Sequence, residues 1–191
     1  MERMRIWLAA IVLAAVAVVP RAAEAQTVEL IAQIGATIAQ YTGDNITSGT
    51  EAQVSAGAKL RVGSGFYVDG GIFWTRTGGE IDGDAITLSS VRFPVTVGLR
   101  VIRASVVDLR LFAGTAINAV SSVADNSAGI TKDDVKSAIW AGRAGIGVDI
   151  ALIAIDLAYE FGLSDVFESG VGLDGVKQNA VVLEAGLRFG F

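Results

Sequence analysis

Two carboxylates four residues apart, Asp156 and Glu160, are the first residues in this 191-residue chain that invite a chemical reading. A carboxylate pair can act as general acid and base. Here the pair lies in a stretch of alternating apolar and polar residues, so both side chains share one face of a strand. They then stand about 13 Å apart along it, too far to act jointly. The chain has no histidine and no cysteine, which removes the commonest general base and metal ligand along with any thiolate or disulfide. Gly63-Ser64-Gly65 sets a serine between two glycines, but in a tight turn without the strand-to-helix context of a nucleophile elbow. Asp82-Gly83-Asp84, Asp125-Asn126 and Asp133-Asp134 match no calcium-loop spacing and read as solvated loop acids. No catalytic residue, cofactor or metal site is expected, and the chain is read as a non-enzyme.

The elements that carry these residues follow from composition and period. Hydrophobic residues make up 52% of the chain, with a mean hydropathy of +0.53, 23 glycines and 2 prolines. Beyond the N-terminus no apolar run approaches the roughly 18 residues of a spanning helix. So apolar a chain must hide its surface in another way, and its β-branched residues favour strands. The net charge of −5 excludes a basic nucleic-acid footprint.

Residues 1–25 follow the pattern of an export signal. Arg3 and Arg5 are followed by an apolar stretch over 6–19, Pro20 and the small-x-small site Ala23-Glu24-Ala25. Cleavage is expected between Ala25 and Gln26, leaving residues 26–191 as one domain; a retained anchor is the alternative.

That domain divides into eight segments of period two. The second is the cleanest: Ala52, Val54, Ala56, Ala58, Leu60 and Val62 oppose Glu51, Gln53, Ser55, Gly57, Lys59 and Arg61. Short connections at 63–65, 103–105 and 151–152 alternate with longer polar ones at 43–50, 77–87, 121–136 and 164–179. The pattern predicts an all-β fold: an eight-stranded antiparallel up-and-down transmembrane barrel with short periplasmic turns and longer extracellular loops. A lipocalin-like barrel would turn its apolar face inward around a ligand. Two features oppose that arrangement. The polar face is rich in glycine, as a narrow filled interior requires. The large aromatics of the apolar face fall near strand ends, with Trp74, Phe93, Trp140, Tyr159 and Phe161 towards the loops and Phe66, Phe189 and Phe191 towards the turns, as two interfacial girdles would.

The interior then receives Glu29, Glu51, Asp69, Asp108, Asp149, Asp156, Glu160 and Glu184 against Lys59, Arg61, Arg92, Arg100, Arg110, Arg143 and Arg188. Enclosed charges must pair, so a salt-bridged plug is expected, with a narrow solute or ion pathway as the alternative. Pro94, inside the fourth segment, predicts a bulge or local break.

The terminal Leu187-Arg188-Phe189-Gly190-Phe191 resembles the C-terminal signal by which outer-membrane barrels are handed to their assembly machinery. Residues 27–191 resemble the small outer-membrane barrels called porin-family or PorT-like, related in architecture to OmpX and the OmpA barrel. Val91-Arg92-Phe93-Pro94-Val95-Thr96-Val97 is similar to that family's fourth strand. The resemblance implies a cell outer-membrane protein surrounded by lipid and lipopolysaccharide. It implies no shared catalytic residues. A monomer with an adhesive, envelope-stabilising or other surface-interaction role through its outer loops is expected, with a low-conductance channel as the alternative.

Overall fold

The computed structural model describes residues 27–42, 50–81, 84–124, 133, 135–167 and 175–190. Eight strands follow in chain order: β1 (Val28–Thr42), β2 (Thr50–Gly63), β3 (Phe66–Ile81), β4 (Asp84–Arg103), β5 (Val107–Ala124), β6 (Ala138–Ile150), β7 (Ile153–Gly162) and β8 (Lys177–Gly190). Each pairs antiparallel with its sequence neighbours, and β8 returns to β1 to close a barrel. No open edge remains in the ladder, so outside a local lapse at Pro94 strand N–H and C=O groups find partners across the sheet.

A row of paired residues followed once around the sheet reveals the stagger. Val68, Val97, Ala113, Ala144, Tyr159, Val181, Ile38 and Ala52 lead back to β3 at Gly78, which is 78 − 68 = 10 residues further along. With eight strands that shear tilts them about 40° from the axis and leaves an interior filled by side chains. Burial alternates residue by residue, most regularly in β1 and β7, with the expected polar side inward and the Val/Leu/Ile side outward.

Two expectations are corrected. The connection expected at 77–87 is largely strand, because β3 runs to Ile81 and β4 starts at Asp84, the two being paired. This ribbon carries Gly78, Gly79, Ser89 and Ser90, small and polar residues that leave no period-two signal, while the pairing persists. Likewise β5 extends to Ala124 and β8 begins at Lys177, shortening the connections expected at 121–136 and 164–179.

Pro94 makes a one-sided break. Towards β5 it stays in register opposite Ala116. Towards β3 the pairing lapses between Gly70↔Val95 and Phe73↔Arg92 and resumes without a shift, as a residue lacking an N–H donor dictates. The register shifts lie elsewhere on β4, at Ser89/Ser90 and Arg100/Ile102.

Candidate functional site

The inward positions bring the expected charges together in two groups. Nearer the short turns, Arg61 is fully buried and donates from Nε to Asp69 at 2.9 Å and from Nη1 to Glu29 at 3.1 Å and Asp149 at 3.0 Å. Arg110, also fully buried, donates from Nη2 to Asp149 and Asp156, both at 2.7 Å. Asp156 additionally accepts from Lys59 and, at 3.1 Å, from Gln33 Nε2. Arg100 bonds Glu29 at 2.7 Å and the Ser64 carbonyl at 2.8 Å. Tyr67 lies among three guanidiniums, with the Arg61 carbon 4.8 Å from its ring centre, a cation–π contact.

Further along the axis, Arg92 and Arg143 each contact both Glu160 and Glu184, at 2.5 and 3.3 Å and at 2.6 and 2.7 Å respectively. Asp156 and Glu160 thus belong to different groups. The carboxylate that shares cations with Glu160 is Glu184, from the neighbouring strand, a partner that spacing along one segment does not reveal. Among the described residues six enclosed cations face six enclosed carboxylates, with one further cation and carboxylate at the rim, so the charge balances. Removing two charges from water is repaid only by close geometry of this kind.

Glycine makes the room. The Tyr67 ring occupies the space a Cβ on Gly98 would fill, and the Arg110 guanidinium and Asp156 carboxylate occupy that of Gly147. A cavity of about 10 Å³ lies between the two groups, lined by Lys59, Asp69, Gly71, Pro94, Thr96, Phe112, Arg143 and Glu184. That is space for about one water.

Not every expected residue is enclosed. Asp108 and Arg188 stand at the rim with side chains about one fifth exposed, 3.8 Å apart, and Arg188 also reaches Glu29 and Asp149 at 3.3 Å. The Glu51 side chain, Ala25, Gln26 and Phe191 lie outside the described residues. No group of three or more metal-ligating side chains occurs among the described residues.

A second feature was missed entirely. Tyr41, Val120, Val135, Ile139, Val166, Phe167 and Val176 form a buried apolar cluster at the long-loop end. The chain beyond β7 turns inward to build it. Val135 bridges Phe167, Lys136 N–H donates to Val166 O at 2.9 Å, and Val166 N–H donates to Val176 O at 2.9 Å. The available signal was parity: Val120 and Ile139 keep the inward phase of Arg110 and Arg143, in positions expected to be polar loop or strand end.

Outward, Phe66, Trp74, Phe93, Trp140, Tyr159, Phe161 and Phe189 are all exposed. Phe66 and Trp74 share one face of β3, roughly 20 Å apart along the axis. The Phe161 ring lies over Gly142 on the neighbouring strand.

The model of the outer membrane protein beta-barrel domain family matches residues 8–189. The chain belongs to that family. It is therefore a protein of the cell outer membrane, with lipid against its apolar band and its short turns on the periplasmic side. Similar solved folds include Neisserial surface protein A, 18% identical over 88% of this chain and 100% of that one, with a TM-score of 0.53. OprG from Pseudomonas aeruginosa is 11% identical over 86% and 95%, with a TM-score of 0.53. The attachment invasion locus protein Ail of Yersinia pestis is 18% identical over 85% and 99%, with a TM-score of 0.50. No curated protein matches. At these identities the likeness of this outer-membrane barrel to the solved structures is one of fold alone.

Proposed function

We propose that this outer-membrane barrel is a closed, non-enzymatic scaffold whose work is done by its extracellular loops, in surface interaction or envelope integrity. The observation that carries the reading is the filled interior. A paired charge network and an apolar cluster stand in series across the lumen, leaving the loops as the accessible surface. Loops on a rigid scaffold are where binding concentrates.

The outer strand ends and connections are acidic in sequence: Glu80, Asp82, Asp84, Asp125, Asp133, Asp134, Asp165, Glu168 and Asp174 outnumber Arg76, Lys132, Lys136 and Lys177. Ail has been solved in complex with the heparin analogue sucrose octasulfate. An acidic rim would repel such a polyanion and favour basic partners. Adsorption of a basic peptide to proteoliposomes, weakening as salt rises, is the expected result; salt-insensitive adsorption would remove the electrostatic part of the reading.

A narrow channel is the second reading, favoured by the cavity between the charge groups and by the buried Nε atoms of Arg92, Arg100 and Arg110, which lack hydrogen-bond partners among the described residues. Planar-bilayer recording separates the two: a flat baseline supports the closed scaffold, and resolved unitary steps support the channel.

The same proposal takes residues 1–25 as a cleaved export signal, the segment ending at Phe191 as the handle for the barrel-assembly machinery, and the closed ladder as monomeric, since no edge invites pairing. N-terminal sequencing of the protein isolated from outer membranes is expected to begin at Gln26.

A further inference from the structure

The periplasmic rim is unequal around its circumference. The β2–β3 turn is Gly63-Ser64-Gly65, with Gly63 at φ +128°, small and polar as a water-facing turn should be. The β4–β5 and β6–β7 turns are different. Val106 and Leu152 project from their tips, 62% and 63% exposed.

Three local features present this surface. First, the register shift between Arg100 and Ile102 inserts Val101 as an extra residue, and both Val101 and Ile102 are exposed. Strict alternation would have sent Ile102 towards the lumen, and re-aiming a side chain is what a bulge does. Second, the β6–β7 turn places Ala151 at φ +50°, a conformation for which glycine or asparagine is the usual choice. The chain uses Ile150-Ala151-Leu152-Ile153 there, four apolar residues in succession. Third, the two tips are joined, Ala151 N–H donating to Val106 O at 3.0 Å. Val101, Ile102, Val106, Ile150, Leu152 and Ile153 therefore make one apolar patch, continuous with the lipid-facing band above it. Arg103, next on β4, lies off this patch: it shares the inward register of Asp108, and its guanidinium reaches towards Gly65.

We propose that these two turns form an apolar foot inserted into the periplasmic leaflet of the outer membrane, so that this side of the barrel sits deeper than the side bearing residues 63–65. Continuity with the lipid-facing band selects lipid over a periplasmic protein. The proposal rests on the outer-membrane location and is independent of what the outer loops bind.

The chain's lack of cysteine makes the test direct. Val106→Cys, Leu152→Cys and Ser64→Cys each carry a single environment-sensitive NBD label, in vesicles of phosphatidylethanolamine and phosphatidylglycerol. Retained heat-modifiable mobility on a gel certifies each as folded. Labels at 106 and 152 are expected to emit to the blue of that at 64, to lose emission to doxyl-labelled phospholipid and to resist aqueous iodide, while the label at 64 behaves oppositely. Equal iodide quenching at all three sites in vesicles overturns the proposal. So does shielding of 106 and 152 only in native envelopes, which would assign the patch to a protein partner.

Discussion

At the scale of single residues, the interior is held by exchangeable geometry but by a fixed balance of charge. Glu184 lies 2.7 Å from Arg143 and 3.3 Å from Arg92. Glu184→Gln leaves two buried guanidiniums facing one carboxylate, and stripping one partner from a buried pair costs about 3–5 kcal/mol. The urea midpoint in lipid vesicles should fall accordingly. Arg143→Met combined with Glu184→Leu leaves Arg92 paired with Glu160, so the double variant should be markedly less destabilised than either single one; additive losses would show that the four groups do not act as a unit. Glycine sets a second kind of constraint. Gly98→Ala pushes a methyl into the Tyr67 ring, and overpacking of this kind typically costs about 1–3 kcal/mol. The same change at Gly190, where nothing lies within 4 Å, is the control expected to leave the midpoint unmoved.

At the scale of the strands, the two faces answer to different solvents. Val97 faces outward on β4 beside Val68 and Ala113. Val97→Arg is expected to lower stability by about 2–4 kcal/mol, against about 0–1 kcal/mol for the same change at Gln40 near the outer end of β1, following the depth dependence of lipid-facing charge. Unfolding in vesicles checks both, and equal costs would mean that the assigned face does not meet hydrocarbon. This face was legible from sequence because period two is enforced wherever one side of a strand meets lipid and the other meets paired charge: Leu60 and Lys59, Leu183 and Glu184, fall where alternation sends them. Strand ends were not legible for the complementary reason. Between Gly78 and Ser89 neither face needs to be apolar, so the ribbon left no pattern to read. Cross-strand partners were equally hidden, since Glu160 and Glu184 are joined by Arg92 and Arg143 from other strands, which no single segment encodes. Pro94 was half legible; its missing donor predicts a break, but not that only the β3 side would take it.

At the scale of the whole molecule, two barriers of opposite chemistry stand along one axis. The charged network holds ions by Coulomb pairing, and the apolar cluster excludes water by offering it no partners. Phe167 is buried in the cluster opposite Val135, so Phe167→Ser should loosen the outer seal and leave the network intact; Glu184→Gln should disturb the network and leave the seal intact. With barriers in series, the tighter one governs current. Neither single variant is therefore expected to conduct in planar bilayers, whereas the double variant should show small, cation-sensitive steps. Folding is verified beforehand by a gel shift on boiling, because a collapsed barrel would also be silent. A steady current from Phe167→Ser alone would mean that ions pass the paired charges freely. The arginine–carboxylate network would then be a conduction path lying under an apolar gate, and the closed-scaffold reading would give way to the channel.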